Sequence, residues 1–133
     1  MNAVFVDTSA VLALFNADDD NHARAAAVFE KLKSRQARLV STSFVLVETY
    51  ALVGRRLGLD AVKSLRSEFM PIVDIVWVDA RLHEAGLDLL LARGKRQLSL
   101  VDAVSFAVMR EAKLEEAFAY DPHFQQEGFT ELA

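Results

Sequence analysis

A chain of 133 residues that is 53% hydrophobic, with nine phenylalanines, is long enough for one packed core and too apolar for disorder. It has no cysteine, which excludes a disulfide framework, a thiolate zinc site and a cysteine nucleophile. A formal net charge of -4 and a pI of about 5.3 argue against broad electrostatic capture of nucleic acid, because phosphate repels acid.

The first predicted element is a short strand from Ala3 to Val6 that ends at Asp7. Its apolar run is continuous, as in a central parallel strand covered on both faces. Asp7, Thr8 and Ser9 offer caps for a short helix, Ala10 to Phe15. A polar loop with three successive aspartates, Asp18 to Asp20, follows. Ala25, Val28, Phe29 and Leu32 then mark one apolar face of a helix from about Asn21 to Ser34. Arg38 to Thr42 reads as a second strand. Thr42 or Ser43 caps a helix from Phe44 to Leu57, which Gly58 stops. Asp60 caps another helix through Met70, ended by Pro71. Val73 to Val78 reads as a third strand that takes Trp77 into the core. Asp79 caps the next helix, which Gly94 closes. A helix from Ser99 or Leu100 carries Val101, Val104, Ser105 and Val108 on one side. Ala117 to Tyr120 is a fourth strand ending at Asp121, Pro122 to Gln126 one helical turn, and Phe129 to Leu132 a short edge strand.

Strands alternating with helices imply an α/β fold in three layers, with helices on both faces of a mostly parallel sheet of four to five strands. No repeat or linker divides the chain, so residues 1–133 are expected to form a single domain. No basic region precedes an apolar run at the N-terminus. Apolar stretches such as Phe44 to Val47 and Leu89 to Ala92 fall far short of the ~20 residues of a spanning helix. A soluble cytoplasmic protein is the expectation. The basic residues are bunched, at Lys31, Lys33, Arg35 and Arg38, at Arg55 and Arg56, and at Arg93, Lys95 and Arg96. Each bunch suits a solvated helix end, and any of them is a candidate contact for RNA.

Four carboxylates stand out by position. Asp7 and Asp121 each sit where a strand ends, and strand C-termini line the ligand crevice of open parallel sheets. Each is also a natural helix N-cap, Asp121 the more so with Pro122 behind it. Glu48 and Asp102 lie in segments that are apolar on nearly every side, the pattern of a buried helix. A buried carboxylate costs several kcal/mol without a partner, and neither has Lys or Arg three or four residues away. A distant arginine, or backbone bonds at a helix start for Asp102, would be ordinary partners. A divalent cation is the economical one. Mg²⁺ and Mn²⁺ take oxygen ligands, often carboxylates plus water and substrate phosphate, and such a site performs phosphodiester hydrolysis.

These residues resemble those of the PIN-domain ribonucleases, most closely the VapC-type toxins of bacterial toxin–antitoxin pairs. The likeness runs over essentially the whole chain. It begins at Val4 to Ala10 with Asp7, continues at Val47 to Thr49 with Glu48 and at Leu98 to Phe106 with Asp102, and closes at Tyr120 to Phe124 with Asp121 and at Gly128 and Phe129. The resemblance implies a PIN-like fold and an acidic cluster of Asp7, Glu48, Asp102 and Asp121 supported by Ser9. Asp7 and Asp102 would be the direct ligands of Mg²⁺ or Mn²⁺, with Glu48 and Asp121 as further candidates. It also implies water attack on RNA that leaves 5′-phosphate and 3′-hydroxyl ends, a small antitoxin that blocks the site, and a homodimer. One departure is Ala119, where members often carry Thr or Ser two residues before the last acid.

Other chemistry finds less support. His22, His83 and His123 lack zinc-ligand spacing, and His123 beside Phe124 reads as packing or capping. Ser105 has no Gly-x-Ser-x-Gly turn around it, and no glycine-rich phosphate loop is present. Two rivals to the nuclease remain. One is an aspartate-based phosphohydrolase with Asp7 as nucleophile, although Ser9 stands where a second Asp is usual. The other is a non-catalytic PIN-fold interaction module in which the acids are structural.

Overall fold

Ala3–Val6 forms β1, and all four of its residues are buried. The reason is position: β1 is the middle strand of a five-stranded sheet, ordered β3-β2-β1-β4-β5 and parallel at every pairing. Its partners are β2 (Arg38–Thr42), β3 (Val73–Val76), β4 (Glu116–Phe118) and β5 (Thr130–Leu132). The computed structural model describes residues 2–133.

Among the described residues, seven α-helices flank the sheet: α1 (Thr8–Phe15), α2 (His22–Ser34), α3 (Ser43–Leu57), α4 (Leu59–Ser64), α5 (Ala80–Arg93), α6 (Leu100–Glu111) and α7 (Pro122–Gln126). Side chains alternate across a strand, so β1 feeds two cores. Phe5, with Val40 and Ala117, packs under Val104, Phe106 and Met109 of α6 and Phe124 of α7. Val4 and Val6, with Leu39 and Phe118, pack under Val11 of α1, Val53 of α3, and Leu65 and Phe69. The expected three-layer α/β/α order is what forms. Among the described residues, no helix is long and apolar enough to cross a membrane.

Several local expectations are corrected. The helix foreseen from Asp60 to Met70 starts at Leu59 after Gly58, and Asp60 only stands in its first turn. It then loosens into a π turn over Leu65–Phe69 and tightens into a 3-10 turn over Met70–Ile72 that contains Pro71. β3 ends at Val76, where its pairing with Thr42 ends, and Trp77 beyond it is 71% exposed. An edge strand that has stopped pairing leaves nothing to cover that ring. β4 ends at Phe118, opposite Val6, because β1 gives way to a helix there.

The contact that seats α6 is close. Gly86 of α5 faces Val104, and a methyl group on Gly86 would stand 2.4 Å from Val104 Cγ2 and 3.1 Å from its Cα. Alanine normally favours a helix interior by about 1 kcal/mol over glycine. Here Gly86→Ala is expected to reverse the sign and destabilise by about 1–3 kcal/mol, as overpacking does. Urea unfolding checks this: a midpoint at or above wild type would mean that α5 and α6 can part at no cost.

Candidate active site

The parallel sheet puts all strand C-termini on one edge, and the acids gather there. Asp7 directly follows β1 and caps α1: its Oδ2 accepts the Ser9 amide at 3.2 Å and the Ser9 hydroxyl at 2.7 Å. Ser9 Oγ in turn accepts the Tyr120 amide at 2.8 Å, so one hydroxyl joins the ends of β1 and β4. Asp102 is the third residue of α6, in a capping box with Ser99. The Asp102 amide donates to Ser99 Oγ at 3.0 Å, and its Oδ2 lies 3.5 Å from the Ser99 amide. The backbone partner foreseen for Asp102 is therefore present, though long. Asp121 caps α7, its Oδ1 accepting the His123 amide at 2.9 Å.

Asp102, Asp121 and His123 each offer a ligand atom, all within 4.8 Å of one another. His123 Nδ1 is 2.8 Å from Asp121 Oδ1 and 3.9 Å from Asp102 Oδ2. Burial pushes the Asp7 carboxyl up to about 7; the Ser9 hydroxyl opposes the rise, and the charges of Asp102 and Asp121 add to it. Burial and then the Asp121 charge push Asp102 up to about 6, against the Ser99 bonds and His123. Asp7, Asp102 and Asp121 are thus electrostatic neighbours. Among the described residues, no Lys or Arg forms an ion pair with any of them.

Glu48 stands differently. It was expected to be buried on a helix apolar all round. Only a stripe of α3, Val45, Thr49 and Val53, is buried past its first residue, while Val47 is 66% exposed and Glu48 itself is partly exposed. A helix seated on one face of a sheet turns the rest of its surface outward, whatever its composition. The buried-charge argument therefore does not hold for Glu48. Its backbone is nonetheless fixed close by, because Thr49 Oγ1 meets Thr8 Oγ1 at 3.0 Å in a buried hydroxyl pair. Thr8 and Thr49 are the chain neighbours of Asp7 and Glu48.

The model of the PIN domain matches residues 4–129. The chain belongs to the PIN domain family. It is 36% identical over 130 residues, 97% of each chain, to the 23S rRNA-specific endonuclease VapC20 of Mycobacterium tuberculosis. The crystal structure of that VapC20, described as a Sarcin-Ricin loop cleaving toxin, superposes with a TM-score of 0.83 at 34% identity over 96% of both chains. FitAcB from Neisseria gonorrhoeae shares the fold, with a TM-score of 0.71 at 14% identity over 98% of this chain and 96% of that one.

Sequence reasoning passed over two residues of this PIN domain. His123, read as packing or capping, is not the cap, which is Asp121; its amide and ring both bond Asp121, and the ring lies among the acids. The spacing of Asp121 and His123 around Pro122 at a helix start was the available signal. Glu131 of β5 is a further, half-buried acid: burial raises its carboxyl, the Asp121 amide lowers it, and the Asp121 charge raises it. Ala119, the departure from the family pattern, is fully buried in the core. Asp121 takes its bonds from His123 instead.

A carboxyl whose folded pKa is raised weakens the fold once it ionises. For Asp7 this penalty is absent below its ordinary value of 3.8, grows as pH rises, and is complete above about 7. Asp7→Asn keeps an equally good cap and removes the charge. In chelator, the variant is expected to melt higher than wild type at pH 7.5, by on the order of 2–4 kcal/mol, and to match it near pH 4. Equal melting at both pH values would show that Asp7 carries no such strain.

Proposed function

We propose that this PIN domain is a metal-dependent ribonuclease, the toxin of a type II toxin–antitoxin pair. The observation that carries the reading is the convergence of Asp7, Asp102 and Asp121 at the sheet's C-terminal edge with, among the described residues, no Lys or Arg paired to them. Buried like charges this close are tolerated when a cation arrives to share them. The residues fit such an ion: all three acids offer the oxygen that Mg²⁺ or Mn²⁺ prefers. Asp7, Asp102 and Asp121 would hold it, with Glu48 beside them as a further ligand or an anchor for water. When bound, Mg²⁺ or Mn²⁺ supplies polarisation of a phosphate oxygen and a more acidic water.

The chain's own part is to keep its oxygens aimed. Ser9 holds Asp7 and ties β1 to β4, Ser99 holds Asp102, and His123 holds Asp121. Likeness to VapC20 supports RNA as the substrate and makes ribosomal RNA the first to test. A small antitoxin that blocks the site and a homodimeric state belong to the same reading, as does residence in the cytoplasm.

Charge placement supports a path for the phosphate backbone. At the opposite, N-terminal edge of the sheet, Arg35 and Arg38 are paired with Glu116 and Asp74, and Lys33 with Glu30. Those three charges are paired away from the acids. Lys95 and Arg96 are exposed on the link that leads into Ser99 and Asp102, where they can meet phosphates on either side of the scissile bond.

Purified protein incubated with total RNA and Mn²⁺ or Mg²⁺ is expected to give discrete fragments. Chelator should abolish them, and Asp102→Asn should lower the rate by on the order of 100-fold or more. Equal cleavage by wild type and variant would mean a contaminant, and metal-independent cleavage would sink the proposed mechanism. The double variant Lys95→Ala/Arg96→Ala should raise KM roughly 10-fold with kcat little changed, and flatten the salt dependence. An unchanged KM would place the RNA elsewhere.

A further inference from the structure

We propose that His123 is a positioning residue that makes Asp121 a one-oxygen ligand, and so tunes the site to small octahedral cations; this rests on the metal-dependent reading above. Both of its donors converge on a single atom. The His123 amide donates to Asp121 Oδ1 at 2.9 Å, and Nδ1 lies 2.8 Å from the same oxygen. An ionised carboxylate only accepts, so Nδ1 carries the hydrogen in this contact, in the neutral tautomer as in the cation. It then has no lone pair to give a metal. Among the described residues, Asp121 Oδ2 accepts no hydrogen bond, which leaves it as the free oxygen.

The ring is held in place. Its side chain is only 16% exposed, it follows Pro122 in the first turn of α7, and the next residue, Phe124, is fully buried against Phe5 and Phe106. The same Nδ1 comes within 3.9 Å of Asp102 Oδ2, too far for a hydrogen bond. Nδ1 therefore faces two acids while bonding one.

One-oxygen binding matters because cations differ in what they accept. Mg²⁺ demands near-ideal octahedral geometry, whereas Ca²⁺ takes six to eight oxygens and accepts a carboxylate by both. A carboxylate with one oxygen occupied by two hydrogen bonds has only the other to offer. Freed from His123, it can turn both oxygens to a larger ion.

The test is calorimetric titration of the full chain with Mg²⁺, Mn²⁺ and Ca²⁺, for wild type, His123→Asn, His123→Phe and His123→Gln. The asparagine amide falls near Nδ1 and keeps a donor there; Phe has none, and the Gln amide falls near Nε2, away from Asp121. His123→Asn is expected within about 3-fold of wild type. His123→Phe and His123→Gln are expected to lose about 10–100-fold in Mg²⁺ affinity with Ca²⁺ changed only a few-fold, so that the preference between the two ions collapses. Should the Phe variant not fold, judged by circular dichroism in chelator, the Gln variant carries the comparison. Unchanged Mg²⁺ and Ca²⁺ affinities in these variants would overturn the positioning role alone. Loss in all three variants, together with nitrogen hyperfine coupling in the electron paramagnetic resonance spectrum of Mn²⁺-loaded wild type, would make His123 a ligand and overturn it too. A wild type that binds none of the ions would overturn the metal reading itself, and this role with it.

Discussion

Carboxyl groups brought together out of water repel one another and lose hydration, and the architecture around Asp7, Asp102 and Asp121 is arranged to bear that strain. Each acid sits at the N-terminal end of a helix, α1, α6 or α7. There the unpaired amides and the helix dipole favour negative charge. Each is also bonded to a residue two or three positions away, Ser9, Ser99 or His123. Capping is thus not an alternative to a functional role at these positions. The same bonds that start the helices hold the oxygens still.

The parallel sheet makes the convergence possible. Register aligns Val6 of β1 with Phe118 of β4, so the chain leaves both strands at one level and Asp7 and Asp121 emerge side by side. Asp102 arrives by a different route, through the α5–α6 pair. Its position depends on the close approach of Gly86 to Val104. Two independent packing decisions, strand register and helix contact, therefore meet within a few ångströms. The Ser9 hydroxyl, spanning from Asp7 to the Tyr120 amide, locks the first. The Ser99 capping box secures the second.

Much of this was legible in the sequence because it is local. The order of strands and helices, the continuous apolar run of β1, and caps such as Asp7, Thr42, Asp79 and Ser99 follow from neighbours in the chain, and all five strands and the three-layer order could be anticipated. What was not legible depends on what lies opposite. Trp77 has the hydrophobicity of a core residue, but β3 is an edge strand that stops one residue earlier. Glu48 sits in an apolar stretch, but α3 buries only one stripe of it. His123 needed the fold to bring α7 beside Asp102 before its ring could be seen among the acids. In each case composition was read correctly and the surroundings were not.

The molecule supplies its own control for the idea that the acids await a cation. Glu127 also has little side-chain exposure, 6%, yet its carboxyl is held down at about 2 by hydrogen bonds from Arg93 and Arg110. Arg93 meets it with two nitrogens, at 2.8 and 3.0 Å, and Arg110 with one at 2.7 Å. These bonds tie the end of α7 to α5 and α6, and so brace the helix that carries Asp121 and His123. Where the chain wants a buried carboxylate for structure, it provides guanidinium groups. Asp7 and Asp102 receive none and rise to about 7 and about 6. Burial raises all three carboxyls, but only at Glu127 do arginine hydrogen bonds outweigh it. Arginine makes the difference at Glu127, and the proposed cation would bring to the three acids the positive charge that no Lys or Arg ion pair gives them among the described residues.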